Sequence, residues 1–404
     1  MVYTRQDLLE YIRDNEIQFV KLAFCDLLGR QRNISVLSSQ LEDAFENGVA
    51  IDSSAVTGVG GIDLNIMPVS ALLSDLPWRP HSGRVVSVFC KIADMYRKPY
   101  ECDPMVLLER QVETLKKLGY TAQVATECEF YVFKDELENT SELEPLDNAD
   151  YCSCAPFDKC ENLRRDVILS LEDMGLKPIS SHHERGPGQN EVDFEAADPL
   201  SAARNFVMFK SAIKNVCAIN GTVASFMPRP LSDRPGSGLH LSITLSGKNK
   251  KAATEAFAEG VLRRYREITC LSNPTLNSYK RLGRGYKIGW AANRKTAIRI
   301  FDDDSIQLRT TDSTGNIFAV LALVFAAGCE GIKNGYKLRE PGGSDTDRLF
   351  ESIFDAIEYA QSSKWLHEQI PDQLDNVLTA MKNRETNAAQ LKTDRELFDF
   401  YEDI

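Results

Sequence analysis

The first part of the chain alternates between one helical pattern and two strand-like patterns. Apolar residues at helical spacing in residues 4–14 predict a short helix, and Thr4 suits its N-cap. Apolar, β-branched runs from Phe19 to Cys25 and from Val85 to Cys90 predict two strands. The stretch between these strands includes Asp52-Ser53-Ser54, shows no clear period and is predicted to be an irregular loop.

A new helix marks the predicted domain boundary. Asp103 and Pro104 are residue types typical of an N-cap and a first helical position, and Gly119 is a typical helix end. We therefore predict a small α+β domain over residues 1–98 and a larger domain over residues 99–404.

The larger domain mixes strand-like and helical stretches, so an α+β class is predicted for it too. A polar, acidic segment at about 135–157 is predicted to be a loop, and no internal repeat is evident. The predicted elements are a strand over Gln123–Phe133, a helix ended by Gly175, a strand over Glu191–Phe194, a helix over residues 199–218, strand-like pieces over Leu239–Leu245 and Ala297–Arg309, and an apolar helical segment over Ile317–Ala327.

Composition and charge narrow the class of protein. The 404 residues carry a net charge of −12, with 43% hydrophobic and 26% charged residues, which is typical of a globular enzyme. Nucleic-acid and membrane-surface binders need basic patches, so the acidic balance argues against both kinds of partner. The N-terminus lacks an apolar signal region, and no run approaches the roughly 18 apolar residues of a membrane span. Together with ten scattered cysteines, this predicts a reduced, cytoplasmic protein.

The loop between residues 182 and 191 carries the most informative chemistry. Gly186-Pro187-Gly188 interrupts any helix or strand and predicts a turn that brings Glu184 and Glu191 together. Two converging carboxylates suit a hard divalent cation such as Mg2+ or Mn2+. Taken alone, the stretch is equally consistent with a solvated surface turn.

Two further strand-like stretches alternate polar and apolar residues. Glu127 and Glu129 are two positions apart, so on a strand they point to the same face about 7 Å from each other, which suits two adjacent cations. His240, Ser242 and Thr244 share a face in the same way, and His240 would serve as a neutral ligand. The alternatives are the wet face of an edge strand and a hydrogen-bonded core histidine.

Two segments supply arginines that are candidates for anion binding. Arg281 lies in the segment Asn273–Leu282, and Arg294 and Arg299 lie in the segment that begins at Asn293. Guanidinium groups bind phosphate or carboxylate oxygens in a bidentate manner. Solvated surface arginines are the alternative.

The order of these motifs along the chain resembles the glutamine synthetase family. The resemblance extends from Asp26-Leu27-Leu28-Gly29 through Leu76-Pro77-Trp78-Arg79-Pro80 to Ala326–Ile332. It implies an N-terminal β-grasp domain and a C-terminal catalytic domain like that of glutamine synthetases and guanidino kinases. It also implies ATP and two or three Mg2+ or Mn2+ ions as cofactors, and a homo-oligomer built as a dodecamer of two stacked hexameric rings.

The resemblance further implies a two-step ligase reaction, in which ATP converts a carboxylate into an acyl phosphate and ammonia or another amine displaces phosphate. The implied first-metal ligands are Glu129, Glu184 and Glu191, and the implied second-metal ligands are Glu127, His240 and Gln307. The implied contacts to the acid and its acyl phosphate are Gly236, His240, Arg281 and Arg309, and those to the nucleotide are Ser242, Thr244, Arg294 and Arg299. The implied catalytic positions are Asp52, Arg281, Lys287 and Arg299, with Asp52 and Ser54 reaching a neighbouring subunit to help bind ammonium.

Several residues depart from the family pattern at the implied site. Gln307 stands where a Glu is expected and brings no charge, so the second metal is expected to bind more weakly. Lys287 replaces a flap Glu that accepts a proton from ammonium, and a protonated lysine repels ammonium instead. Ser305 and Ser242 replace an Arg and a His, and Pro235 replaces an Asn that contacts the amino-acid end of the substrate.

These departures favour an altered ligase, with an acid or an amine other than glutamate and ammonia. Lys287, with Arg284, is expected to hold an anionic group on a larger nucleophile, and Pro235 indicates a different acid. Three alternatives stay open: an ordinary glutamine synthetase, a catalytically silent scaffold or regulator, and a small-molecule phosphotransferase. Asp303 would supply part of the missing charge if its strand continued to Gln307, although a solvated acidic turn is the preferred interpretation.

Overall fold

The structure of the chain is a computed structural model with two β-sheets and a largely helical C-terminal part. The sheets contain five and eight strands within the described residues. The structure describes residues 4–26, 28–55, 63–78, 84–135, 142–283, 286–292, 294, 296–302, 305–343, 347–371 and 373–403.

The N-terminal sheet is mixed. Its strands are β1 (Phe19–Cys25), β2 (Gln31–Leu37), β3 (Val49–Asp52), β4 (Asp63–Asp75) and β5 (Val85–Asp94), and helices α1 (Arg5–Asp14) and α2 (Leu41–Asn47) accompany them. They pair in the order β2-β1-β5-β4-β3, with β1 and β5 parallel and the other pairs antiparallel. Thr4 caps α1 as predicted, because its hydroxyl accepts a hydrogen bond from Asp7 N–H while the Asp7 carboxylate accepts one from Thr4 N–H.

The prediction of an irregular loop between β1 and β5 is wrong, because β2, α2, β3 and β4 occupy that stretch. β2 is only partly buried along its length, and β3 alternates half-buried and exposed residues. Strands that bury little apolar surface carry a weak hydrophobic period, so the sequence does not reveal them. Asp52 ends β3, and Ser54 lies in the short 3-10 turn Ser53–Ala55.

The connection from β5 to α3 (Pro104–Lys117) is fixed by one buried carboxylate. Asp103 accepts hydrogen bonds from Met105 N–H at 3.0 Å and from Ile92 N–H at 2.8 Å, so it caps the helix as predicted and also holds the preceding strand. The domain boundary at residues 98 and 99 falls in this connection and stays a prediction.

The second sheet contains eight strands. These are β6 (Tyr120–Lys134), β7 (Pro178–His183), β8 (Gln189–Phe194), β9 (Thr222–Ser225), β10 (Leu239–Gly247), β11 (Lys287–Ala291), β12 (Thr296–Ile300) and β13 (Ser305–Leu308). Seven of them pair in the order β11-β12-β13-β10-β6-β8-β7, and β9 pairs with the last residues of β6, Tyr131–Lys134. The predicted strand piece Ala297–Arg309 is therefore two antiparallel strands, because the chain reverses where Phe301 N–H donates to the Ser305 carbonyl. Asp303 lies outside the described residues.

The register of this sheet gathers polar residues from distant parts of the chain on one face. Glu129 is directly opposite Glu191, and Glu191 is opposite His182 on the next strand. Glu127 is opposite His240. Two positions further along β10, Ser242 is opposite Gln307, which is itself opposite Arg299. Because side chains two residues apart share a face, these residues form one continuous polar surface.

The opposite face of the sheet and the helices form the core. Phe130 on β6 packs edge-to-face on Phe209 of the long helix α5, with ring centroids 6.3 Å apart. The predicted helices at 103–119, before Gly175 and over 199–218 are confirmed as α3, α4 and α5. The helices of this part, after α3, are α4 (Glu161–Asp173), α5 (Pro199–Ile219), α6 (Lys250–Arg263), α7 (Tyr265–Ser272), α8 (Leu276–Leu282), α9 (Ile317–Asn334), α10 (Ile353–Ser362), α11 (Lys364–Gln369), α12 (Leu374–Ala388) and α13 (Asp394–Phe400).

Helix α9 is long and apolar enough to cross a membrane by length and composition, contrary to the expectation that no run approaches such a span. In the fold, 78% of its residues are buried within the protein. It packs so closely on α6 that a Cβ atom at Gly260 would lie 2.1 Å from the Ala327 carbonyl oxygen. Its apolar character is thus explained by its position in the core.

Candidate active site

A cavity of about 730 Å3 opens on the polar face of the eight-stranded sheet. It brings together eleven of the residues that the sequence analysis singles out, from five strands and four loops. These are Glu127, Glu129, Glu184, Glu191, Pro235, Gly236, His240, Arg294, Arg299, Gln307 and Arg309.

The turn between β7 and β8 builds one end of this cavity. Glu184 N–H donates to the Gln189 carbonyl at 2.7 Å, and Gly188 adopts a positive φ of 63° that favours glycine. A Cβ atom at Gly186 would lie 2.0 Å from the Tyr131 hydroxyl, so the turn also needs glycine for close packing. As predicted, Glu184 and Glu191 come together: one ligand atom from each, and one from His182, lie within 4.8 Å of one another.

The carboxylates at this end are crowded and partly desolvated. Burial raises the pKa of Glu129 to about 7, and the charge of Glu184 adds to the effect. Burial, followed by repulsion from Asp193 and Glu129, raises the pKa of Glu191. A divalent cation would relieve this repulsion, and carboxylate oxygens with one imidazole are ligands that Mg2+ or Mn2+ accepts. This donor set fits the implied first metal.

The second set of implied ligands is arranged differently. The Gln307 side-chain amide donates from Nε2 to Glu127 Oε1 at 2.9 Å and to Ser242 Oγ at 3.2 Å, while its Oε1 accepts from Arg309. His240 Nδ1 lies 3.3 Å from the other Glu127 oxygen. The amide nitrogen of Gln307 therefore faces Glu127. The opposite orientation would place the amide oxygen against the Glu127 carboxylate and the amide N–H groups against the Arg309 guanidinium, and neither pair can form a hydrogen bond. Gln307 thus turns its oxygen away from the position of the implied second metal, contrary to the prediction that it is a ligand.

The electrostatics of Glu127 agree with that arrangement. Burial would raise its pKa, but the hydrogen bond and charge of His240, the charge of Arg309 and the Gln307 hydrogen bond together lower it. Glu127 is thus held as an anion by groups of the protein itself. In this conformation Glu129, Glu184 and Glu191 fit the implied first cation. Glu127, His240 and Gln307 do not fit the implied second cation.

Arg281 lies beneath the cavity wall rather than in it. Its guanidinium donates to the carbonyls of Thr310 and Thr311, the latter at 2.9 Å. A Cβ atom at Gly236 would lie 2.6 Å from Arg281 Cγ, so this glycine lets the loop before β10 lie directly on the arginine. Arg309 begins the same segment, 309–311, and does line the cavity.

The remaining predicted residues occupy three places. Arg299 lines the cavity with its guanidinium 4.2 Å from the centre of the Phe301 ring. Three described residues, Ser242, Thr244 and Lys287, do not line the cavity. Asp52 and Ser54 lie at the edge of the N-terminal sheet, where the Asp52 carboxylate accepts hydrogen bonds from the Ser54 N–H and hydroxyl.

The structure adds residues that the sequence motifs do not single out. His182 lies 3.0 Å from Glu184 Oε1, and the Tyr151 ring packs edge-on against it with centroids 5.4 Å apart. Arg185, Gln189 and Phe301 complete the additional lining. Alternation along β7 could have indicated His182, because it precedes Glu184 by two residues, whereas Tyr151 comes from a loop without any periodic signal.

A buried network supports the metal-site turn from behind. Asp147 Oδ1 accepts a hydrogen bond from Gly188 N–H at 2.9 Å and lies 3.0 Å from His183 Nε2. His183 Nδ1 in turn lies 2.6 Å from the Glu184 carbonyl oxygen. Although burial alone would raise its pKa, these hydrogen bonds hold the pKa of Asp147 well below its ordinary value. Asp147 therefore acts on Glu184 through the turn.

Replacing Asp147 by asparagine is expected to weaken Mn2+ binding roughly tenfold, as is usual for residues that orient metal ligands. Asparagine has one accepting oxygen and no charge, so it cannot accept both the Gly188 and the Lys159 N–H bonds, and the anchor of the turn is weakened. Isothermal titration with Mn2+ measures the effect, and Asp150→Asn in the same loop is the control because Asp150 is exposed. Equal Mn2+ affinity in both variants would contradict the assigned role.

Comparison with known proteins agrees with this geometry. Residues 16–95 match the family described as the glutamine synthetase beta-grasp domain, and residues 101–401 match the glutamine synthetase catalytic domain. The glutamine synthetase of Clostridium saccharobutylicum is 32% identical, with 92% of each chain covered. That of Methanosarcina mazei is 34% identical, with 91% of this chain and 90% of the relative covered.

Solved structures of GmaS share the fold. A GmaS structure without ligand superposes with a TM-score of 0.86 at 22% identity, covering 96% of this chain and 97% of the other. A GmaS–ADP complex gives 0.85 at 23% identity, covering 96% and 98%. Family matches over both domains and curated relatives above 30% identity lead to one conclusion: the chain belongs to the glutamine synthetase family and is an ATP-dependent C–N ligase.

Proposed function

We propose that this enzyme joins a carboxylic acid to an amine through an acyl phosphate, and that the acid, the amine or both differ from glutamate and ammonia. The observation that carries the proposal is Pro235 in the cavity wall, where the family pattern has an asparagine. Tyr131 donates a hydrogen bond of 2.7 Å to the Pro235 carbonyl and fixes this residue in place. A proline ring offers the substrate neither an amide donor nor an amide acceptor.

The charges of the cavity suit phosphoryl transfer between two negative reactants. We assign Arg294 and Arg299 to the nucleotide phosphates, and Arg309 to the acid and its acyl phosphate. Glu129, Glu184, Glu191 and His182 would hold Mg2+ or Mn2+, which supplies charge neutralisation on the transferred phosphoryl group. Catalysis then depends on positioning and electrostatics, with no covalent intermediate on a side chain of the protein.

Lys287 supports a change of nucleophile. It begins β11 and pairs with Thr296 on β12, the strand that carries Arg299. We propose that it lies on the flap that covers the amine and favours an amine bearing an anionic group over ammonium. Its expected companion Arg284 lies outside the described residues.

The assembly belongs to the same proposal. Asp52 and Ser54 are not part of the cavity lining of their own chain, so we propose that they complete the amine site of a neighbouring subunit in a dodecamer of two stacked hexamers. A cytoplasmic location and the lack of nucleic-acid or membrane partners are also part of the proposal. The acidic composition supports the lack of those partners, and the ten scattered cysteines support the location.

A screen of carboxylic acids against amines, read by phosphate release and product mass, tests the proposal. The fastest pair is expected not to be glutamate with ammonium. The double variant Pro235→Asn, Lys287→Glu is expected to shift the ratio of kcat/KM towards glutamate and ammonium by about tenfold, because it restores the family residues at both substrates. Lys280→Glu, at an exposed position of helix α8, is the charge-matched control for Lys287→Glu.

Each other outcome has a definite meaning. Fastest turnover with glutamate and ammonium in the unmodified enzyme would show an ordinary glutamine synthetase. ATP binding without turnover for every acid and amine would contradict the proposal. ADP formation without an amine, with a stable phosphorylated product, would show a phosphotransferase.

A further inference from the structure

A second cavity, of about 210 Å3, lies where the N-terminal sheet meets the catalytic domain. One wall is the turn that joins β1 to β2, and the other is helix α5 with the segment that leads into α9. Among the described residues, the two cavities share no lining residue. The volume is many times the roughly 10–15 Å3 that a single water molecule needs, so a small metabolite would fit.

The walls of this cavity are held firmly together. Gly29 has a φ of +86°, and a Cβ atom there would lie 2.9 Å from the backbone of Asn316. The Asn316 side chain donates to the Asp26 carbonyl at 2.7 Å. The cavity is therefore a preformed feature of the contact between the two parts of the chain.

Cations outnumber anions on its lining. Arg30, Lys210 and Lys214 line it, with Asp403 as the carboxylate among the described lining residues. Asp403 Oδ2 lies 3.0 Å from Arg30 Nε, and its side chain is 52% exposed, so this pair lies at the mouth. Lys214 Nζ donates to the Glu402 carbonyl at 3.3 Å.

Lys210 is the most deeply placed of the cations. Its Nζ donates to the Ser313 carbonyl at 2.8 Å and lies 5.2 Å from the centre of the Phe226 ring. The described part of the chain places no carboxylate within 4.0 Å of it, although an ammonium has three donors. Burial, with the charge of Lys214, lowers its pKa to about 7. A half-buried, partly desolvated lysine with no carboxylate in contact among the described residues is stabilised when an anion binds beside it.

Part of the remaining lining is apolar. Leu28, Phe206, Val207 and Ile317 face this space together with Cys25, and the uncharged polar residues Gln31, Ser211, Asn215 and Thr314 also line it. Such a surface suits a short carbon chain, whereas a site for phosphate alone would be polar on all sides. We propose that this cavity binds a small carboxylate anion, with Lys210 and Lys214 on the carboxylate and the apolar wall on its carbon chain.

Calorimetric titration of the full-length protein with glutarate tests this site. Lys214→Gln is expected to weaken glutarate binding about tenfold, because a charge-assisted hydrogen bond is lost. Asp403→Asn is expected to tighten it severalfold, because it removes a carboxylate from the mouth. Arg185→Gln, which removes an exposed cation from the other cavity, is the control and is expected to leave the affinity unchanged.

The pH dependence gives an independent readout. Above about pH 7, Lys210 of the free protein is mostly neutral. The anion binds the protonated lysine, so binding is coupled to the uptake of a proton, and the affinity for glutarate is expected to fall as the pH rises. The other charged or titratable groups around it are Lys214, Arg30, Asp403, Asp312, Cys25 and Cys128. Absence of glutarate binding, or binding that Arg185→Gln abolishes and Lys214→Gln leaves intact, would overturn the proposal. If Lys214→Gln does not fold, Asp403→Asn serves as the test, and unchanged or weaker glutarate binding by that variant would overturn the proposal.

Discussion

Glu129→Gln is expected to lower kcat/KM for ATP-dependent phosphate release by about a hundredfold or more, since residues that only orient metal ligands already have effects of 10- to 100-fold. Glu129 lies opposite Glu191 and near Glu184, at the centre of the proposed first metal site. The glutamine keeps an oxygen to accept the Gly238 N–H bond, so the loss of charge is the main change. The measurement is the rate of phosphate release as a function of Mg2+ concentration.

The control for this variant is Glu195→Gln. Glu195 follows β8 and is exposed, with its carboxylate 3.2 Å from Lys177 Nζ. Surface ion pairs of this kind contribute little, so its activity and Mg2+ dependence are expected to match those of the unmodified enzyme. If Glu129→Gln and Glu195→Gln showed the same Mg2+ dependence, Glu129 would not be a metal ligand.

Gln307→Glu is expected to create a strong second cation site. The new carboxylate would face Glu127 Oε1, which the Gln307 amide contacts at 2.9 Å, and two facing carboxylates repel each other unless a cation lies between them. Without metal, the Tm of the variant is therefore expected to fall below that of the unmodified protein. Addition of Mn2+ is expected to raise its Tm more steeply, and titration is expected to show one more bound ion per chain.

Gln307→Leu separates the new charge from the lost hydrogen bonds. It removes the bonds to Glu127, Ser242 and Arg309 without adding a carboxylate, so its Tm is expected to fall with no additional response to Mn2+. If Gln307→Glu and Gln307→Leu responded to Mn2+ alike, the position would not belong to a cation site.

The elements that sequence reasoning finds correctly are those with strong local signals. The Thr4 capping box, the Asp103 cap and the apolar stripe of residues 199–218 depend on neighbours within a few positions. The half-exposed strand β2 escapes prediction because it buries little apolar surface. The reversal between β12 and β13 is a different case, since both strands alternate polar and apolar residues and the acidic run at 302–304 between them is the one local sign of a turn.

The candidate site divides in a similar way. The turn at Gly186-Pro187-Gly188 predicts the approach of Glu184 to Glu191 because only ten residues are involved, from 182 to 191. Alternation predicts that Glu127 and Glu129 share a face. No pattern shows that Tyr151 packs on His182, because their contact depends on the path of a long loop.

By itself, the sequence determined the family, the identity of the acidic and basic residues of the site and the face of each strand on which they lie, because composition and alternation are local properties. Only the tertiary structure decided that Glu129 lies opposite Glu191, that the Gln307 amide turns its nitrogen to Glu127, and that Lys210 borders a cavity between the two parts of the chain. Strand register, the choice of hydrogen-bond partner and the space between packed elements all depend on distances between residues far apart in the chain. Those distances are fixed when the whole core packs.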